Sequence, residues 1–247
     1  MAVTTTPFVR IERLRKEFGA VVALEEVTLD VNPGDIVALV GDNGAGKSTV
    51  VKCLAGVSPP TSGQILLEGQ PVHFSSPLDA RSQGIEVVFQ DLALANAQPV
   101  YMNMFLGREL VKGPLRRLDR KTMAAETQKL LEELDVRVDS PQKTIRDLSG
   151  GQRQGVAIAR AVHWAQRLVL MDEPTAALGV AETRRVEDLI RRMRDRGRAI
   201  LIVSHSLDQV FRLADRICVL RRGKQVGIRR TSETTGGEIV AMITGLR

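Results

Sequence analysis

Three short stretches of the chain are apolar throughout, Ile36–Val40, Leu168–Met171 and Ala199–Val203, and a fourth, Ile85–Phe89, is broken only by Glu86. Apolar runs of four or five residues are too short for buried helices and read as strands covered on both faces, the signature of a parallel sheet. Arg216–Leu220 extends the series. Val9–Leu14 and Ala23–Val31 instead alternate apolar with polar residues, as antiparallel strands buried on one face do, and Asn32-Pro33-Gly34-Asp35 turns the chain into the first apolar run. Gln64–Glu68 predicts a short strand after the Thr61-Ser62-Gly63 turn.

Helical periodicity falls between these runs. Helices are predicted over Lys47–Ala55, closed by Gly56 and Pro59-Pro60, and over Pro77–Gln83, with Ser76 as N-cap and Pro77 at the first helical position. Others are expected over Val180–Arg196, Leu207–Ala214 and Glu238–Ile243. From Asp91 to Gln166 strand-like runs vanish, and Met123, Thr127, Leu130, Leu131 and Leu134 share one helical face. The pattern therefore predicts an α/β core, 1–90 and 167–247, with an antiparallel β subdomain and an inserted helical subdomain, 91–166, within a single domain of 1–247.

Composition narrows the setting. No apolar run approaches the eighteen or so residues of a membrane span, and Met1–Arg10 lacks the basic and apolar regions of a signal peptide, so a cytoplasmic protein is expected. Cys53 and Cys218 lie far apart in apolar surroundings and match no metal or redox spacing. The net charge is +6, with arginines clustered at Arg184-Arg185, Arg191-Arg192, Arg194, Arg196 and Arg198. Most of these sit opposite Val186, Leu189, Ile190 and Met193, which points to a solvated helix face; nucleic acid and anionic lipid headgroups are the functional alternatives. With one Trp and one Tyr, stacking platforms for bases are scarce.

The chemistry begins at Gly41-Asp42-Asn43-Gly44-Ala45-Gly46-Lys47-Ser48-Thr49, between a predicted strand and a predicted helix. Glycines let successive N–H groups turn toward phosphate oxygens, and the following helix adds the positive end of its dipole. At this P-loop spacing Lys47 reaches the β- and γ-phosphates and Ser48 ligates Mg²⁺. The strand Leu168–Met171 runs into Asp172-Glu173, placing Asp172 to hold Mg²⁺ through water and Glu173 to act as general base on the attacking water. A second helix start, Leu148-Ser149-Gly150-Gly151-Gln152, has Ser149 as N-cap and is also built to face an anion.

These motifs, together with Val203-Ser204-His205, occur in this order in the ATP-binding cassette (ABC) proteins, which the whole chain resembles. The resemblance implies a head-to-tail homodimer in which ATP is sandwiched between Gly41–Thr49 of one copy and Ser149, Gly150, Gly151 and Gln152 of the other. It further implies that Phe18 stacks on adenine, though a plain core role is as open. Gln90 would contact Mg²⁺ or the water and sense a transmembrane partner, and His205 would contact the γ-phosphate. His73 and His163 match no such position and read as surface or packing residues. Thr175-Ala176-Ala177-Leu178-Gly179 departs from the family, because Ala176 and Gly179 lack the polar groups that bond across the dimer.

The stretches Gln70–Phe74, Val88–Leu94, Phe105–Glu109 and Thr175–Val180 look like the ATPases of bacterial ribose, xylose and fructose importers. That implies an ATP-hydrolysing subunit on the cytoplasmic face of the membrane, peripheral, coupled to permease subunits and, through them, to an extracytoplasmic sugar-binding protein. Tyr101, Met102, Met104 and Phe105 are either permease contacts or simple helix packing. The alternatives are a soluble ABC ATPase acting on nucleic acid or the ribosome, and an ABC importer or exporter for another cargo.

Overall fold

The computed structural model describes residues 6–176 and 178–245. The first strands, β1 (Val9–Phe18) and β2 (Val21–Val31), form a long antiparallel hairpin, followed by β3 (Ile36–Val40) and α1 (Lys47–Leu54). Next come β4 (Ser62–Leu67), β5 (Gln70–Val72), α2 (Pro77–Ser82) and β6 (Ile85–Val88). The middle of the chain holds α3 (Val100–Met104), β7 (Val111–Lys112), β8 (Arg117–Leu118), α4 (Arg120–Glu133) and α5 (Gly150–Trp164). The chain then alternates through β9 (Leu168–Asp172), α6 (Val180–Asp195), β10 (Ala199–Val203) and α7 (Leu207–Leu213), and closes with β11 (Arg216–Arg221), β12 (Lys224–Arg230) and α8 (Gly236–Thr244).

Ten strands form one sheet in the order β5-β4-β1-β2-β12-β11-β3-β10-β9-β6. The half from β11 to β6 is parallel, and the β5-β4-β1-β2 half is antiparallel. Every residue of β3, β9 and β10 is buried, and their side chains alternate between two cores. Ile36, Ala38, Val40, Val169, Met171, Ile200 and Ile202 pack with α3 to α8, while Val37, Leu39, Leu168, Leu170, Leu201 and Val203 pack with α1 and the antiparallel strands. This two-sided burial is why those segments contain no polar alternation. Cys53 and Cys218 are free thiols of the second core, where desolvation pushes them up to about 11 and about 12.

Three expectations change. The stretch 91–166 is not purely helical, because β7 and β8 pair as a small hairpin. Strands β5 and β12 were not anticipated; both are short or largely polar, and their ladder partners rather than their own pattern make them strands. Tyr101, Met104 and Phe105 are buried in the first core and Met102 packs against it, so these four are packing residues and not an exposed docking patch. On α6 the apolar stripe Val186, Leu189, Ile190 and Met193 is buried as expected. Arg191 bonds Asp188 at 2.8 Å and Arg194 bonds Asp195 at 2.9 Å, leaving Arg184 and Arg185 exposed.

Candidate functional site

Parallel pairing brings the motifs to one edge of the sheet. Val203 of β10 lies beside Leu39 of β3 and beside Asp172 of β9, and Val88 of β6 lies beside Met171. The residues that follow those strand ends, Gly41, Gln90, Glu173 and His205, therefore emerge along the same carboxyl edge, where ligands of open α/β sheets bind.

At the P-loop the backbone does what the glycines permit. Gly41 has φ +149° and Gly46 φ +103°, and a Cβ at Gly41 would sit 2.1 Å from the Leu220 carbonyl oxygen, so no other residue fits. Gly46 caps α1 without any side-chain hydrogen bond. Among the described residues, the amides of Gly44, Gly46, Lys47 and Ser48 meet no acceptor, which leaves a nest of N–H groups at a helix start. Lys47 is buried; its Nζ donates to the carbonyls of Gly41 at 2.7 Å and Asp42 at 2.8 Å. Desolvation lowers its pKa, against the pull of Glu173, Asp172 and Asp42.

Asp172 ends β9, buried, beside the Ser48 hydroxyl. Desolvation raises its pKa, while the Ser48 hydrogen bond opposes the rise. Glu173 follows with φ +54°, a left-handed conformation costly for a non-glycine residue and concentrated at functional sites. Its amide donates to the Val203 carbonyl at 2.9 Å, and its Oε1 lies 2.7 Å from Nε2 of His205. Glu173 and His205 are thus held together at the ends of the neighbouring strands β9 and β10. A cavity of about 240 Å³ beside His205 is lined by Gly41, Asp42, Asn43, Ser204 and His205.

Two supporting features escaped the sequence. The buried Ser204 hydroxyl donates to Gln209 Oε1 at 2.9 Å, and Gln209 Nε2 donates to Thr175 Oγ1 at 2.8 Å. This network fixes the His205 loop to the segment after Glu173. Lys16 places its ammonium 5.0 Å from the ring centroid of Phe18, which is half exposed at the end of β1 and so not a core residue. Neither pairing has a local motif; both depend on which loops meet. Gln90 is exposed beyond β6, His73 is exposed, and His163 packs edge-on against Phe105 and Trp164, where desolvation lowers its pKa.

The second anion-facing helix start lies apart from the first. Ser149 Oγ accepts from the Gln152 amide at 3.2 Å, and Gln152 Oε1 accepts from the Ser149 amide at 3.0 Å, a complete capping box. Ser149 and Gly150 are exposed, and among the described residues the amides of Gly150 and Gly151 meet no acceptor. Of the departing loop, Ala176 and Gly179 are exposed; Ala177 lies outside the described residues.

A nest of amides between β3 and α1, a buried lysine and an acidic pair at the end of β9 define a P-loop nucleotide-binding ATPase. The ABC transporter family matches residues 24–176, and the chain belongs to it. It is 46% identical to the xylose/arabinose import ATP-binding protein of Sulfolobus acidocaldarius, over 95% of this chain and 92% of that one. It is 44% identical to the fructose import ATP-binding protein of Rhizobium meliloti, over 98% and 95%. A ribose import ATP-binding protein of Escherichia coli O157:H7 is also 44% identical across 98% of this chain, which spans only 47% of that longer relative. Among solved structures, the ADP conformation of an ABC transporter cassette superposes with a TM-score of 0.85 at 25% identity, covering 98% of this chain and all of that one.

Proposed function

We propose that this chain is the ATP-hydrolysing subunit of a sugar importer, working as a head-to-tail pair on the cytoplasmic face of a membrane and coupled to permease subunits. The similarity to pentose and fructose import proteins over nearly the full length of both chains carries this reading. No helix among the described residues is long and apolar enough to cross a membrane.

In this reading the amides of Gly44, Gly46, Lys47 and Ser48, with Asn43, Ala45 and Thr49 shaping the loop, receive the β- and γ-phosphates of ATP. Phe18 offers its half-exposed ring to adenine. The residues present suit a magnesium ion: the Ser48 hydroxyl and the Asp172 carboxylate are neighbouring oxygen donors, and Gln90 leaves the same sheet edge. So few protein ligands fit a hard cation that takes its remaining oxygens from phosphate and water. Bound there, the ion would neutralise charge on the phosphate oxygens.

Glu173 accepts a proton from the attacking water, and His205, 2.7 Å away, orients that carboxylate and faces the γ-phosphate. The opposite copy supplies Ser149, Gly150, Gly151 and Gln152, and the free amides of Gly150 and Gly151 complete the phosphate cradle. ATP closes the pair because the γ-phosphate is contacted from both copies; its loss removes those contacts and lets the pair open.

Detergent capture of the intact complex from membranes tests the reading. Recovery of a permease and a sugar-binding subunit, with ATP hydrolysis stimulated by one sugar of a panel, is the expected result. Recovery with ribosomes or nucleic acid and no permease would overturn it.

A further inference from the structure

The hairpin of β7 and β8 takes no part in the proposed ATP site. All eight residues 111–118 are exposed. Val111 pairs with Leu118 and Lys112 with Arg117, so the two apolar side chains share one face of the hairpin and the two cations the other. The turn between them closes with the Arg116 amide bonded to the Gly113 carbonyl at 3.1 Å, and Leu115 at its tip is 73% exposed. Leu106, just before the hairpin, is 48% exposed. A two-stranded hairpin with two residue pairs gains little from its own ladder, and it holds out three aliphatic side chains, Val111, Leu115 and Leu118, that the core does not use.

Charge accompanies this apolar tip. Between Leu106 and Lys121 the chain carries Arg108, Lys112, Arg116, Arg117, Arg120 and Lys121 against Glu109 and Asp119, a net +4 of the whole chain's +6. Arg108 is committed to Glu86 at 2.6 Å and Lys112 to Asp119 at 3.2 Å. Among the described residues, Arg116, Arg117, Arg120 and Lys121 have no acidic partner. The surface is a protruding tip and not a groove, and its cations have no fixed acceptor geometry. A fluid sheet of negative charge over an apolar interior suits it better than a shaped protein pocket.

We infer that the hairpin dips Val111, Leu115 and Leu118 into the headgroup layer of a membrane while Arg116, Arg117, Arg120 and Lys121 bind anionic phospholipid headgroups, as a lipid contact additional to any permease contact. The inference rests on the proposed work at a membrane. It makes the membrane itself a binding partner that orients the subunit.

Sedimentation of the full chain with vesicles tests this, using phosphatidylcholine alone or phosphatidylcholine with phosphatidylglycerol. The chain is expected to sediment with the anionic vesicles only, and less as salt rises. The R116E/R117E variant is expected to lose at least about tenfold of that partitioning, and Leu115→Asp to lose the salt-resistant part of it. Hydrolysis of ATP in solution should stay unchanged in both variants, which also reports that they fold. Equal binding to neutral vesicles, or equal binding by the variants, would overturn the inference. So would loss of permease capture in detergent by variants of a chain that ignores vesicles, since that marks a protein contact. A chain that binds vesicles through the hairpin but captures no permease would overturn the transport reading and leave the lipid contact standing.

Discussion

Two helices of this chain start with amides that meet no acceptor among the described residues, and they are mounted in opposite ways. Helix α1 begins deep in the sheet: Lys47 is buried, a Cβ on Gly46 would meet Leu24 at 2.5 Å and the Ala23 carbonyl at 2.7 Å, and Asp172 stands alongside. Helix α5 begins on the surface: a Cβ on Gly150 meets nothing within 4 Å, and one on Gly151 meets only the flexible Glu182 side chain. Backbone hems in the first site, and open space surrounds the second. In the proposed reading the first holds a phosphate by itself. The second has free donors on an exposed surface, beside the side chains of Glu182 and Arg185 and with no buried lysine, so in the proposed reading it gains a role only when another surface closes over it.

The largest expected effect separates the two. Lys47→Ala should lower ATP hydrolysis by at least about 10²-fold and weaken nucleotide binding by the single chain, because it strips a buried cation from the walled site. Near-normal turnover in a steady-state phosphate-release assay would remove α1 from the chemistry. Ser149→Arg should reduce hydrolysis to a similar extent yet leave ATP binding by the monomer intact, since the change lies on the open helix start. Fluorescent-nucleotide titration combined with light scattering would show it; an ATP-closed pair in this variant would break the comparison.

Asp172→Asn should act with opposite signs on stability and activity. Desolvation raises the Asp172 pKa above its usual 3.8, so the folded state binds this proton more tightly than the unfolded chain. Stability of the nucleotide-free protein therefore falls as pH rises from that value through the raised one and is flat beyond it. The variant lacks that loss and should melt higher near neutral pH while hydrolysing poorly; a lower melting temperature would contradict the assignment.

A smaller effect concerns how α5 is carried. Arg108 bonds the buried Glu86 of β6 and stacks 4.6 Å from the ring of Trp164, at the far end of α5, and Trp164 Nε1 donates to the Met104 carbonyl at 2.8 Å. Arg108→Ala leaves Glu86 only the longer contact to Arg81 at 3.8 Å and should cost about 1–3 kcal/mol by urea titration. The smallest contrast lies in the glycines: Gly150→Ala should shift stability by no more than about 0.5 kcal/mol, whereas Gly41→Ala, facing the Leu220 carbonyl, should prevent normal folding.

What the sequence disclosed follows from the same contrast. Strands β3, β9 and β10 were legible because both of their faces are buried, so every residue is apolar, and the residues after them inherit a common edge. Helix α5 was legible through its cap, a local motif. The left-handed Glu173, the Ser204–Gln209–Thr175 network and the Lys16–Phe18 contact were not, since each arises where loops distant in sequence converge. Tyr101, Met104 and Phe105 sit at spacings of three and four, the period of a buried helix face, and that period outweighs the aromatic and sulfur character that suggested a docking patch.

The two bonds from Lys47 to the carbonyls of Gly41 and Asp42 have a further consequence. The ammonium ties the loop together through the chain's own carbonyls, so part of the entropy of ordering the loop belongs to folding and not to ligand capture. Nucleotide uptake becomes an exchange of acceptors around a standing mould. Its specificity is for whatever outbids two peptide oxygens, which a polyanion does and a neutral sugar or nucleoside does not.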